Sequence, residues 1–222
     1  MKLFSIRLLP LLSAFVTIPV MAADLTAHLP VYLSEVIANG SPLQLQGQPQ
    51  PLGQTTPNFT VANAQLHPVQ RLNFTGKYLL IQTVPSLDTE LGRQLANEFI
   101  RQTTALGAEV TSLLISTDLP FAQSRFAAGV ELQKVSLYSD AIWGDFGSSF
   151  GLRIKDVGLL ATALLVIGPD STLLHQQLSK TLEQQPDFPA AFKLLPKTAT
   201  QSATASEPPV VTPKSEHHDA AG

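Results

Sequence analysis

Cysteine is absent from all 222 residues, and the only two methionines are Met1 and Met21. Both methionines fall in a segment read below as a cleaved export signal, so the mature chain is expected to contain no sulfur at all. Thiol catalysis, disulfide exchange and Cys-ligated zinc, haem or iron–sulfur chemistry all need a thiolate. The chain's own residues therefore exclude them. Charge is also sparse. The 14 basic and 17 acidic side chains give a formal net charge of −3, with no Lys/Arg cluster to attract a nucleic acid or an anionic membrane surface. Hydrophobic residues make up 44%, enough for the core of one domain of ordinary size.

The first 22 residues read as a secretory signal. Lys2 and Arg7 form a basic start, Leu8–Val20 an apolar run, and Val20-Met21-Ala22 a small-residue cleavage site. A membrane span needs about 20 apolar residues, and this run is shorter and broken by Pro10 and Pro19. Cleavage would leave no membrane anchor and a secreted, periplasmic chain. Removing Lys2 and Arg7 from the 14 basic residues leaves 12 against 17 acidic ones, a formal charge of −5. Residues 23–42 are expected to be a leader, with Val31–Ile37 a short strand or helix ending at Asn39-Gly40. The folded domain is expected over 43–195 and a disordered tail, rich in Ala, Thr, Ser and Pro, over 196–222.

The domain is organised around KYLLIQTVPSLDTELGRQLANEF, read from Lys77. Tyr78–Ile81 predicts a buried strand, Val84–Thr89 a loop, and Leu91, Leu95 and Phe99 one face of a helix capped by Asp88 or Thr89. Gly107 reads as that helix's C-cap. Beyond it, Val110–Ser116, Val135–Tyr138 and Ala161–Ile167 predict strands, and Thr172–Leu178 a hairpin partner. Helices are expected over Asp118–Phe126 (with Pro120 tolerated early), Trp143–Phe150 and Phe188–Leu195. Leu43–Leu52 suggests a weak edge hairpin. Alternating strands and helices predict a layered α/β domain, a central sheet flanked by helices.

Candidate catalytic groups are few. Asp88 and Glu90 form a carboxylate pair in the first helical turn, where they more simply satisfy backbone N–H groups. Ser86 and Thr89 are alcohols without a neighbouring His. His28, His67 and His175 are scattered, and His217-His218 lies in the tail without a third ligand. Arg93 and Arg153 are candidates to place positive charge near the helix N-terminus. No metal site and no cofactor is expected.

The spacing Pro85, Thr89, position 92 resembles the peroxiredoxin active-site motif. DLPFAQSRF, from Asp118, resembles the signature of the bacterial thiol peroxidases, the atypical two-cysteine peroxiredoxins. The likeness extends from about Leu43 to Leu195. It implies a thioredoxin-like fold with an N-terminal hairpin, and a homodimer. Carried over by position, it makes Pro85 and Thr89 pocket residues that shield the thiolate and hydrogen-bond the peroxide. It also puts Gly92 in place of the peroxidatic cysteine, Ala127 in place of the resolving cysteine and Thr162 in place of an activating arginine.

The expectation is thus a peroxiredoxin scaffold without peroxidase chemistry, retaining a role in binding or scaffolding an unknown protein or small apolar ligand. The alternatives are an antioxidant enzyme or hydrolase using Thr89, Arg93 and Asp88, or a carrier of lipids or hydroperoxides. Gly92 is expected to leave a small void and a loosened first helical turn. On that basis, restoring Gly92→Cys with Thr162→Arg should bring back reactivity toward peroxide.

Overall fold

In the computed structural model, which describes residues 29–38 and 40–197, the centre is β5 (Tyr78–Thr83). Its side chains alternate across the sheet, as a strand's period of two requires. Leu80 faces a core layer with Leu95, Phe99, Leu114, Phe126 and Phe188. Leu79 and Ile81 face a second layer with Phe59, Leu113, Ile115, Phe146 and Phe150. A strand covered on both faces must be apolar throughout, and β9 (Ala163–Ile167) is buried at every position. The second layer is fixed by aromatic contact: Phe59 meets Phe146 edge to face, ring centres 5.0 Å apart at 89°.

The other strands of this mixed sheet are β3 (Thr60–Ala62), β4 (Pro68–Gln70), β6 (Val110–Ser116), β7 (Val135–Ser139) and β10 (Leu173–Leu178). They run in the order β10-β9-β5-β6-β7-β3-β4. The β5–β6 and β6–β7 pairs are parallel and β5–β9 antiparallel. One end of the sheet therefore gathers the loops after β5, β6 and β7 and the entry to β9 at Thr162. Helices α1 (Glu90–Thr103) and α2 (Pro120–Ala127) start from that end. The helices α3 (Asp145–Phe150) and α4 (Phe188–Phe192) complete the two layers. No described helix is long and apolar enough to cross a membrane.

Three expectations need correction. The boundary at 42/43 cuts a hairpin in two: β1 (Val31–Ala38) pairs antiparallel with β2 (Ser41–Gln46). Gly40, just before β2, supplies the positive φ of 77° that the turn between them needs. With β8 (Arg153–Ile154) they form a separate small sheet. Leu45, Ile154 and Ala161 fill it from beneath, and the Tyr32 hydroxyl donates to the Gly151 carbonyl (2.5 Å). The hairpin expected at Leu43–Leu52 is thus only the second arm of this one.

Helix α1 ends at Thr103 rather than running to Gly107. The Thr103 and Thr104 hydroxyls bond back to the Ile100 carbonyl, and the chain leaves the helix there. Finally, α3 starts two residues late, because Gly144 takes a left-handed conformation (φ 61°) just before it. The signal segment, His28 and the His217-His218 pair lie outside the described residues, as does all of the tail beyond Lys197.

Candidate functional site

The loop Val84–Thr89 leaves β5 and turns into α1. Val84 N–H still bonds to the Ile115 carbonyl (3.1 Å), so the loop departs from a fixed point. Thr89 is the N-cap: its hydroxyl accepts from Gly92 N–H (3.0 Å) and donates to the Ser86 carbonyl (2.9 Å). Both functions of that hydroxyl are spent at the loop's junction with the helix. Asp118, at the start of the DLPFAQSRF stretch, grips the loop from the next strand end. Its carboxylate accepts the Ser86 hydroxyl at 2.6 Å and Leu87 N–H at 2.6 Å. Charge-assisted bonds of this kind contribute about 1.5–3 kcal/mol each.

These bonds draw the Ser86 carbonyl onto the start of the helix. A Cβ on Gly92 would sit 1.7 Å from the Ser86 oxygen and 2.7 Å from its carbonyl carbon. Real side-chain atoms do not approach so closely, so the position accepts only glycine while the loop holds this form. The expected void is therefore not there, nor is the loose first turn: the place of the nucleophile is filled by backbone, and Gly92 is buried.

The remaining candidates separate into those that frame this loop and those that do not. Pro85 lies half-buried in the loop itself. Thr162 is fully buried at the entry to β9 and donates its hydroxyl to the Leu182 carbonyl (2.7 Å). Thr83, which pairs with Ala163 across the sheet, donates to the Ala161 carbonyl (2.6 Å) and accepts Ala163 N–H (2.9 Å). Ala127 closes α2 and lines a different depression, a groove of about 410 Å³ with Gln123, Leu132, Leu137 and Tyr138.

Arg93 pairs with Glu90 (3.1 Å) and donates to the Asp88 carbonyl (3.2 Å). Arg125 pairs with Asp88 (3.1 Å). Hydrogen bonds from Arg93, then Gln94, hold the Glu90 carboxyl below its usual range. The two carboxylates are engaged with arginines on the surface and do not form an acid–base pair. The two described histidines stand apart from the loop, His67 in the β3–β4 turn and His175 on β10, at opposite edges of the sheet. Burial pushes the His175 imidazole down in pKa. Arg153 is not near Gly92. It lies on β8, its guanidinium packed over Gly144 and Gly158 and its charge opposing that of Asp140.

Two residues that matter here escape a sequence reading. Asp118 was legible only as a helix start, although an Asp just after a buried strand is a ready acceptor for a neighbouring loop. Asp140 is 1% exposed and accepts Phe146 N–H and Gly147 N–H at 2.9 Å each. Among the described residues no group of three His, Asp or Glu side chains is placed to hold a metal ion.

Comparison with known proteins agrees with the framework of this site. The redoxin family model matches residues 51–195. A thiol peroxidase of Staphylococcus aureus (strain COL) is 35% identical over 160 residues, covering 72% of this chain and 96% of that protein. A thiol peroxidase of Mycobacterium bovis is 32% identical over 166 residues, covering 73% and 99%. Among solved structures, a peroxiredoxin-like protein from Aquifex aeolicus superposes with a TM-score of 0.67 at 26% identity, over 73% of this chain and 96% of that one. A thiol peroxidase from Chromobacterium violaceum superposes with a TM-score of 0.66 at 20% identity, over 77% and 98%, and supports the fold. A thioredoxin-like sheet with the peroxiredoxin loop after its central strand, and relatives matched over nearly their whole length, place this cysteine-free chain in the thiol peroxidase family of redoxins.

Proposed function

We propose that this chain is a non-peroxidatic member of its family, exported and acting by binding rather than by catalysis. The observation that carries this reading is the Ser86 carbonyl lying where a side chain at position 92 would begin. Reduction of a hydroperoxide by a peroxiredoxin needs a thiolate that can be oxidised by the O–O bond. Here no thiol exists, and both hydroxyls of the loop are engaged: that of Thr89 caps α1 and bonds Ser86, and that of Ser86 donates to Asp118. An enzyme built on Thr89, Arg93 and Asp88 is disfavoured by the same contacts. A carrier of lipids or hydroperoxides that uses the former peroxide pocket is disfavoured because the depression beside Asp88 and Arg93 encloses only about 240 Å³ and opens to solvent.

Binding has a better-supported address at the same end of the sheet. Leu119 and Phe121 follow β6, Ile142 and Trp143 follow β7, and all four are exposed, Phe121 at 61%. Large apolar side chains grouped at adjacent strand ends suit a protein partner. We infer a homodimer through this face.

The test is consumption of hydrogen peroxide and of a bulky organic hydroperoxide by the mature chain, with and without added thiol. The expected rate equals that of buffer. A catalytic rate that survives chelation and disappears on Thr89→Ala would overturn the reading. Sedimentation of the wild type and of Phe121→Glu tests the homodimer, which the charge should dissociate.

A further inference from the structure

Asp140 sits where β7 ends and the exposed Ile142–Trp143 turn begins, and it ties that turn down at both ends. Its carbonyl accepts Gly144 N–H (2.9 Å) and its own N–H donates to the Ser116 carbonyl of β6 (2.9 Å). Its two carboxylate oxygens each take one N–H of α3's opening turn, from Phe146 and Gly147. The side chain is buried beside Gly147, where an added Cβ would meet its Oδ2 at 3.1 Å. The charged groups that bear on it are Arg153 from β8, which favours its ionised form, and Asp145 from α3, which opposes it. Asp145 is itself occupied with Thr60 N–H (2.8 Å).

A carboxylate can accept both N–H groups at once; a carboxylic acid carries a proton on one oxygen and holds that donor more weakly. Against those two bonds stands the burial itself: a carboxyl group 1% exposed rests in place more readily neutral than charged, and ionisation draws it toward water. Burial is the dominant influence on Asp140 and pushes its pKa up to about 7, so both states are reached under ordinary conditions.

We propose that the proton on Asp140 controls the presentation of Ile142 and Trp143: the neutral side chain stays buried and keeps their turn in place, and ionisation loosens it. In its consequence for association this rests on the homodimer reading above, and the two are separable by experiment. Trp143 is the chain's single tryptophan, so its emission reports on this turn alone, whatever the oligomeric state.

The experiment follows Trp143 emission from pH 5 to 9 in the full mature chain, with sedimentation at the same pH values. The wild type should shift to longer wavelength as pH rises, in one transition centred within about one unit of pH 7. Asp140→Asn, which cannot change charge, should abolish the transition. Arg153→Gln removes the opposing cation and should move the midpoint upward. A dimer that prefers the neutral form carries two Asp140 side chains and should weaken by up to about a hundredfold per pH unit above the midpoint.

Emission independent of pH, or a transition unchanged in Asp140→Asn, overturns the proposal. If Asp140→Asn does not fold, Arg153→Gln decides, and an unmoved midpoint overturns it. A chain that is monomeric at every pH, yet shows the Asp140-dependent transition, retains the switch and removes the homodimer.

Discussion

Replacing Gly92 by alanine should destabilise the protein, although a glycine inside a helix ordinarily costs about 0.5–1 kcal/mol relative to alanine. An alanine Cβ here would begin 1.7 Å from the Ser86 oxygen, so the carbonyl must retreat by an ångström and a half or more, roughly to ordinary contact distance. That retreat breaks the bond from the Thr89 hydroxyl and pulls against its capping bond to Gly92 N–H. It also pulls Ser86 and Leu87 away from Asp118. Loss of a cap costs about 1 kcal/mol, and loss of one charge-assisted anchor about 1.5–3 kcal/mol. Set against the gain in helix propensity, the net destabilisation should be about 2–3 kcal/mol.

For a domain of this size each kcal/mol lowers Tm by about 2–4 °C, so Gly92→Ala should melt roughly 4–12 °C below the wild type. Thermal and urea unfolding of the two proteins settle the matter. An equal or higher Tm would refute the reasoning, because it would mean that the loop yields without cost. The same geometry reverses the expectation that Gly92→Cys with Thr162→Arg regains peroxide reactivity. The sulfur would have to displace Ser86 first, and an arginine at the fully buried Thr162 would place an unpaired cation in the core, at a cost of several kcal/mol. That double variant should be recovered poorly folded and without peroxidase activity.

Global stability should depend on pH through Asp140. Its folded pKa, about 7, lies above the ordinary unfolded value, so between about pH 4 and 7 the native state binds more protons than the unfolded one. Stability contributed by Asp140 is therefore greatest below pH 4, falls as pH rises through that window and levels off above 7. The change amounts to as much as about 4 kcal/mol, and urea midpoints measured against pH should show the slope vanish in Asp140→Asn. His175 acts with the opposite sign. Burial lowers its pKa, so the stability it contributes is present above pH 6.5 and lost as pH falls, a trend that His175→Gln should remove. Truncation tests the N-terminal boundary: a chain beginning at Leu29 should unfold cooperatively near the mature protein's Tm. One beginning at Leu43 leaves β2 without its partner and exposes the side of Leu45, and its Tm should fall by 10 °C or more.

The elements that a sequence reading recovers are those in which one-dimensional pattern and burial coincide. The fully apolar β9, the alternating faces of β5 and the four-residue period of Leu91, Leu95 and Phe99 leave little choice of structure. The N-terminal hairpin is implied by the resemblance but falls earlier than Leu43–Leu52, because β1 gives no clean alternation: Val31, Leu33 and Ile37 are exposed, and only pairing with β2 and the cover of β8, more than a hundred residues on, makes it part of the domain. At the site, Gly92 and Thr89 were identifiable by position, and Thr89's role as a cap follows from its residue type. The closure of the loop was not identifiable. It depends on Asp118 reaching across from the neighbouring strand, a relation set by the parallel pairing of β5 and β6 rather than by any spacing along the chain.

If Gly92 permits the closed loop and Asp118 holds it there, the two residues act on one structure and their effects should not add. Asp118→Ala alone removes two short acceptor bonds, to the Ser86 hydroxyl and Leu87 N–H. It leaves the half-buried Ser86 hydroxyl within reach of water but the N–H of buried Leu87 without that acceptor, and should cost about 2–4 kcal/mol. Once the loop has lost that grip, the Ser86 carbonyl is free to give way to a Cβ at position 92, and much of the penalty of Gly92→Ala disappears. The double variant should therefore be about 1–2 kcal/mol more stable than the sum of the single effects predicts, a coupling of the size found between residues that share a network. Urea unfolding of the four proteins gives the cycle. Strict additivity would show that the clash at Gly92 is relieved by some movement independent of Asp118, such as a shift of the first turn of α1. The closed loop would then owe its form to the helix rather than to the Asp118 carboxylate.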